Sequence, residues 1–285
     1  MLSNKKNKAV LLMLLTAFFF SLMNVFVNLS GDLPIIQKSF FRNIIAALFA
    51  LIVLLRTHQP IRMPKNGKAL LVLRSLLGTV GIICNFYAVD NLILSDATML
   101  NKMSPFFVII FSYLFLKEKI TSTQIFMVVI AFIGSLFVIK PTFNIDMIPY
   151  LIALTGGMSA GAAYTCIRKL GTLKVTGPFV VFFFSAFSSM INLPIMVINF
   201  HPMTTQQITY LLLAGLCAAA AQFSITTAYY NAPAKEISIF DYSQIIFSAF
   251  LGYILFNQTI DIYSLIGYVI IISVAFTMFN YNKTH

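Results

Sequence analysis

The segments DATMLNKMSPFFVIIFSYLFLKEKI (residues 96–120) and EISIFDYSQIIFSAFLGYILFNQTI (residues 236–260) align without a gap. Chemically similar residues coincide along the alignment: Asp96 with Glu236, Asn101 with Asp241, Ser104 with Gln244, and Tyr113 with Tyr253. The two segments stand at corresponding places in the two halves of the 285-residue chain. The sequence therefore predicts an internal repeat, with a first copy at residues 1–145 and a second copy at residues 146–285.

The loops around the two copies differ in charge in a systematic way. Lys117 in the first copy corresponds to Asn257 in the second, and the basic loop Arg56–Arg74 corresponds to residues 196–214, which contain no Lys or Arg. Positively charged loops of membrane proteins stay in the cytoplasm. We therefore expect the two copies to cross the membrane in opposite orientations, a pattern typical of secondary transporters built from inverted repeats.

The composition excludes an ordinary water-soluble domain. Hydrophobic residues make up 59% of the chain and charged residues only 9%, whereas average globular chains carry about 25% charged residues. Long apolar runs alternate with short polar breaks, which predicts membrane-spanning helices. The expected fold is an all-α membrane protein of ten transmembrane helices in two inverted five-helix repeats. The predicted spans are 9–29, 35–55, 69–89, 96–116, 121–140, 148–168, 178–198, 208–230, 236–256 and 261–281.

The net charge of +11 does not indicate a nucleic-acid partner, because the basic residues lie in short loops between apolar runs. Their distribution predicts a multi-pass protein of the cytoplasmic membrane with both termini in the cytoplasm. The first apolar run superficially resembles a signal peptide, but it has no convincing cleavage site and is interpreted as a retained helix. The three cysteines lie within apolar runs without metal-ligand spacing, so no metal or cofactor is expected.

Charged residues inside predicted spans are the clearest functional signal. Burial of such a charge in hydrocarbon costs about 2.5–3.5 kcal/mol even on the most lenient scale, and three stand out: Arg42, Lys102 and Asp241. Arg42 could bind substrate directly or pair with a carboxylate such as Asp241. Lys102 could line the edge of a cavity or reach a helix interface. Asp241 could bind substrate, carry a proton, or form a structural ion pair.

Spans 4 and 9 carry polar residues at helical spacing. Asn101 and Ser104 share one face of span 4, and Asp241 and Gln244 share the matching face of span 9. Two such stripes are expected to meet at the pseudo-twofold axis, where inverted-repeat transporters bind their substrate. The predicted substrate-binding residues are Arg42, Asn101, Lys102, Ser104, Asp241, Tyr242, Gln244 and Asn24, although interhelical hydrogen bonding is the ordinary role for a residue such as Asn24. Glu118, at the cytoplasmic end of span 4, is predicted to be a gate or interface residue.

Short motifs in the first half carry a family resemblance. They are Phe40-Phe41-Arg42 in span 2, Arg74-Ser75-Leu76-Leu77-Gly78 in span 3, and Ser104-Pro105 followed by Phe115-Leu116-Lys117-Glu118 in span 4. With their order and the span count, the whole chain resembles the EamA-type members of the drug/metabolite transporter superfamily. The resemblance implies ten helices in two five-helix halves and a carrier of small solutes. Amino acids, nucleotide derivatives such as S-adenosylmethionine, sugars and drugs are all represented in that superfamily.

The sequence thus predicts a secondary transporter that moves a small organic metabolite across the cytoplasmic membrane by alternating access. The expected partners are the solute, the lipid bilayer, and either a coupled proton or a counter-solute. An integral membrane enzyme acting on lipids is the rival class, but it needs clustered nucleophilic or acid–base groups, and the three histidines lie in loops or at the terminus. A third class is a passive channel or a membrane scaffold. Saturable flux of a solute would distinguish a transporter from both rival classes.

Overall fold

The computed structural model describes residues 2–57, 64, 67–92, 100–139, 147–256 and 261–284, all of which are helical or in short connections. The helices are α1 (Leu2–Leu29), α2 (Ile35–Thr57), α3 (Gly67–Asn91), α4 (Ser104–Leu116), α5 (Ser122–Ile139), α6 (Met147–Thr172), α7 (Gly177–Ile198), α8 (Thr205–Asn231), α9 (Ala234–Ile237), α10 (Ser243–Phe256) and α11 (Ile262–Thr284). A 3-10 helix, Ser238–Tyr242, joins α9 to α10. Asp96, Asn257 and the last residue of predicted span 121–140 fall outside the described residues.

The helices supply ten membrane crossings within the described part of the chain. Eight stretches are long and apolar enough to cross a membrane, counting Ala234–Leu255 as one, and α4 and most of α5 are shorter apolar helices. The prediction of an all-α membrane protein with ten spanning helices is confirmed. Several helices extend beyond the predicted limits, notably α1, which begins at Leu2.

Helix packing follows the duplication. The extensive contact of α1 with α8 is matched by that of α6 with α3, and the contact of α4 with α6 is matched by that of α10 with α1. Helix α2 packs against its own counterpart α7, and α5 packs against α11. Such an arrangement has an approximate twofold axis between the halves, as inverted repeats require.

Glycines on α6 let α4 approach closely. A Cβ atom at Gly161 would lie 2.6 Å from Cβ of Phe107 and 3.0 Å from the carbonyl oxygen of Ser104. One turn earlier, a Cβ at Gly157 would lie 2.5 Å from the carbonyl oxygen of Leu100. Small residues at helix interfaces allow this backbone-to-backbone contact in membranes. The start of α4 is therefore held directly against the backbone of α6.

Spans 4 and 9 are not regular α-helices throughout, although the helical spacing used for their polar residues assumed that they are. Helix α4 begins only at Ser104, after a turn in which the Met103 amide donates to the Leu100 carbonyl at 3.1 Å. Pro105 lies in the first turn of α4, where a missing amide proton costs nothing. Span 9 changes from α9 to a 3-10 helix at Ser238 and returns to α-helix at Ser243. Both copies thus interrupt the regular helix at corresponding positions, a feature often found at functional sites.

Candidate functional site

Lys102 joins the two halves of the molecule in the membrane interior. Its Nζ donates to Oδ2 of Asp241 at 3.0 Å, to Oε1 of Gln244 at 2.7 Å and to the Asp241 carbonyl oxygen at 3.3 Å. The side chains of Lys102 and Asp241 are only 4% and 11% exposed. The ammonium group is therefore almost fully enclosed by acceptors of the opposite half.

The interrupted helices explain how this ion pair forms. Lys102 lies in the turn before α4, and Asp241 lies in the 3-10 helix before α10. A residue in such a turn need not keep the angular relation to later residues that a regular α-helix imposes. Sequence periodicity predicted that Asn101 and Ser104 would face the Asp241 stripe, but Lys102 makes the contact. Asn101 is half-buried and Ser104 is buried beside α6.

Further polar groups connect α1 to the ion pair. The Ser21 hydroxyl donates to the Gln244 carbonyl oxygen at 3.0 Å and accepts from the Ser248 hydroxyl at 3.0 Å. Tyr242 is fully buried, and its hydroxyl oxygen has no hydrogen-bond partner among the described residues. Asn24, predicted as a binding residue, lies in α1 and is exposed. The site therefore combines a satisfied ion pair with an unsatisfied buried hydroxyl.

Arg42 belongs to a polar network between α2 and α7 rather than to an ion pair. Its Nε donates to Sδ of Met23 at 3.1 Å, and its Nη1 donates to Oδ1 of Asn43 at 3.0 Å. Asn43 in turn donates to the Ser188 hydroxyl at 3.0 Å. The alternative that Arg42 pairs with Asp241 is wrong in this structure, because that carboxylate is bound by Lys102.

Arg74 is a buried residue that the sequence reasoning missed. It was grouped with the cytoplasmic basic loop, yet it lies on α3 with only 2% of its surface exposed. Its guanidinium carbon stands 3.8 Å above the centre of the Phe184 ring, and its Nη2 donates to Oε1 of Gln222 at 2.9 Å. A Cβ at Gly78 would overlap Nη1 of Arg74 and lie 2.7 Å from Phe184. The spacing of Arg74 and Gly78, one helical turn apart, was the signal available in the sequence.

Glu118 lies at the end of α4 in contact with the second half. Its Oε1 accepts from Nε of Arg168 on α6 at 2.9 Å, and Nη1 of Arg168 donates to the Tyr229 carbonyl oxygen on α8 at 3.1 Å. The two ionic side chains are 16% and 15% exposed. Three helices from both copies are thus fastened together at one end of the bundle.

Comparison with known proteins identifies the family to which this architecture belongs. The model of the EamA-like transporter family matches residues 7–140 and again residues 147–280. The pseudopaline exporter CntI of Pseudomonas aeruginosa is 32% identical over 266 residues, covering 92% of this chain and 93% of the exporter. Solute carrier family 35 member G1 of Homo sapiens is 26% identical over 260 residues, covering 86% of this chain and 71% of the carrier.

A solved crystal structure has the same fold. It superposes with a TM-score of 0.82 and covers 94% of this chain and 96% of its own, at 14% sequence identity. At that identity the likeness concerns the fold alone. The twice-matched family model and the full-length similarity to a named exporter confirm the resemblance drawn from the sequence motifs. The chain belongs to the EamA-like transporter family, and its relatives are membrane transporters of small solutes.

Proposed function

We propose that the protein exports a small organic metabolite across the cytoplasmic membrane by alternating access. The observation that supports this most directly is the Lys102–Asp241 ion pair, which joins the two inverted halves at their interrupted helices. Inverted-repeat transporters bind their substrate at this kind of place, between interrupted helices near the middle of the bilayer. The proposed direction follows the relative that is named as an exporter.

The ion pair supplies a way for substrate binding to change the contact between the halves. An anionic group of the substrate competes with Asp241 for Lys102, and a cationic group competes with Lys102 for Asp241. Because a buried charge is costly without a partner, each competitor must replace the contact it removes. We therefore propose Lys102, Asp241, Gln244 and Tyr242 as residues that bind substrate, with Asn101, Ser104 and Asn24 around them.

The topology that we propose places both termini in the cytoplasm, as the positive charge of the loops requires. In that orientation the Glu118–Arg168 ion pair lies on the cytoplasmic side. Asp241 is a carboxylate in the membrane interior, where it can bind a proton or a cationic group. We therefore propose that a proton or counter-solute exchanged for the exported solute binds at the Lys102–Asp241 pair.

Export is tested by comparing the spent medium of cells that produce the native protein with that of cells producing Asp241→Asn at equal membrane levels. We expect at least one organic metabolite to accumulate outside the cells only with the native protein. The same metabolite should then exchange across liposomes that contain the purified protein, with saturable kinetics. Identical media in both cultures, together with liposomes that show no exchange, would contradict the proposal.

The Glu118–Arg168 ion pair gives a prediction about the cytoplasmic side. Glu118→Gln is expected to reduce transport about three- to tenfold, because it weakens a contact that holds α4 to α6 and, through Arg168, to α8. The exchanged pair Glu118→Arg with Arg168→Glu should recover part of the rate, since both charges remain. Exchange rates of the three proteins in liposomes check this. Equal exchange rates for Glu118→Gln and the native protein would show that the ion pair plays no part in transport.

A further inference from the structure

Two arginines lie in the membrane interior without a carboxylate partner. Arg42 and Arg74 are 4% and 2% exposed. The ion pairs found among the described residues are Lys6–Glu236, Lys102–Asp241 and Arg168–Glu118, and neither arginine is part of one. Burying each charge costs free energy, and this cost is normally smaller when a counter-charge is present.

Each acidic residue with a described side chain either forms an ion pair or lies outside the bundle interior. Asp241 binds Lys102, Glu118 binds Arg168, and Glu236 binds Lys6. The remaining two lie outside the bundle interior: Asp32 is exposed in the connection between α1 and α2, and Asp261 accepts from the Ser264 amide at 2.8 Å at the start of α11. Among the acidic residues whose side chains the structure describes, none remains to neutralise Arg42 or Arg74.

The two arginines approach each other from opposite membrane faces. Arg42 lies seven residues after Ile35 on α2, and Arg74 lies seven residues after Gly67 on α3. Each is therefore about 10 Å along its helix from a different side of the bilayer. Both are connected to the same part of α7: Arg74 lies over the Phe184 ring, and Arg42 is joined through Asn43 to Ser188, one helical turn further along. The two arginines thus form one positively charged region beside this part of α7.

We propose that Arg42 and Arg74 together bind the anionic groups of the transported solute, which is an organic oxyanion carrying about two negative charges. The proposal rests on the transport function above and names its substrate class. Lys102 is already paired with Asp241, whereas the two arginines have no carboxylate partner among the described side chains, so an anion binds them without displacing an existing ion pair. Carboxylate and phosphate share the required chemistry, since both accept paired hydrogen bonds from a guanidinium group.

The surroundings of Arg74 suit such a ligand. Nη2 is bound to Gln222 and the guanidinium face lies on Phe184, while the buried Nε has no hydrogen-bond partner among the described residues. Stacking and one hydrogen bond fix the orientation of the group and leave donors free. Gly78 makes the necessary room beside it. The guanidinium group is therefore oriented before the ligand arrives, which reduces the entropy lost on binding.

Burying two unneutralised cations costs folding stability, as functional sites commonly do. An anion that binds both should therefore raise the melting temperature, because a ligand of the native state stabilises it by mass action. The probes are citrate, succinate, glucose 6-phosphate and inorganic phosphate, with glucose and the cation putrescine as uncharged and oppositely charged controls. They are added to the full-length protein purified in detergent.

We expect at least one organic anion to raise the melting temperature of the native protein, and glucose and putrescine to leave it unchanged. Arg42→Gln and Arg74→Gln should each weaken that anion's apparent affinity about tenfold or more. Arg56→Gln is the matched control, because it removes the same charge from an exposed position at the end of α2, and it should leave the affinity unchanged. Arg74→Lys, which keeps the charge and loses the planar pair of donors, should also bind weakly. It serves as the test if Arg74→Gln does not fold.

The outcomes separate this proposal from the transport function. Stabilisation by an organic anion that depends on both arginines, without exchange in liposomes, supports the site and contradicts transport. Exchange of a neutral or cationic solute that is unaffected by Arg42→Gln and Arg74→Gln supports transport and overturns the anion site. Carboxylates and phosphates are distinguished by which of them gives the arginine-dependent shift. Absence of any arginine-dependent shift across the anion probes overturns the proposal.

Discussion

Asp241→Asn is expected to lower the free energy of unfolding by about 3 kcal/mol and to abolish transport. The substitution leaves Lys102 as a buried ammonium group without a negative partner, and breaking a buried ion pair from one side costs about 3–5 kcal/mol. The expected loss is at the lower end because Gln244 still accepts from Lys102 at 2.7 Å. Thermal unfolding in detergent gives the stability, and solute exchange in liposomes gives the transport rate.

The double variant Lys102→Met with Asp241→Leu separates stability from function. It removes both charges, so most of the lost stability should return, because replacing a whole buried ion pair with apolar groups is often neutral or stabilising. Transport should remain absent if the charges bind substrate. Asp32→Asn is the matched control, since it removes a carboxylate that is exposed between α1 and α2. Normal transport by the double variant would show that the pair is only structural.

Gly161→Ala is expected to cost about 1–3 kcal/mol, the usual range for an overpacked interior, and to reduce transport more than tenfold. The new methyl group would meet Cβ of Phe107 at 2.6 Å, the Val108 amide nitrogen at 2.9 Å and the Ser104 carbonyl oxygen at 3.0 Å. Two of these atoms belong to the backbone of α4 and cannot rotate away. The start of α4, and with it the turn that carries Lys102, must shift away from α6.

Gly177→Ala is the control for this substitution. It adds the same methyl group at the start of α7, where the nearest atom outside the local chain is 3.7 Å away. Its melting temperature and exchange rate should match those of the native protein within error. If Gly161→Ala behaved like Gly177→Ala, the close contact between α6 and α4 would not be needed to position the ion pair.

The architecture was predictable because it is repeated in the sequence and because the apolar runs are long. The repeat is recognised from a constant offset of 140 residues, as between Tyr113 and Tyr253. Recognising it requires no knowledge of side-chain contacts. The ten crossings follow from hydrocarbon thickness and the rise of a helix. Opposite loop charges then indicate that the second copy is inverted.

The side-chain partners were less predictable because they depend on where the helices are interrupted. Periodicity assigned Asn101 to the face that meets Asp241, since it assumed that residues 101 and 104 lie on one regular helix. The turn at Leu100–Met103 breaks that relation and presents Lys102 instead. Arg74 was missed for a different reason: it lies within predicted span 3, but it was counted with the basic loop Arg56–Arg74 and not with the charged residues inside spans.

The uncompensated arginines have an electrical consequence. The empty carrier holds two positive charges at Arg42 and Arg74, while Lys102 and Asp241 cancel. Movement of one elementary charge across the membrane changes the free energy by about 2.3 kcal/mol for every 100 mV. Any rearrangement that carries these arginines through part of the membrane field is therefore voltage-sensitive when the site is empty. A doubly charged anion at the proposed site would make the same rearrangement nearly electroneutral.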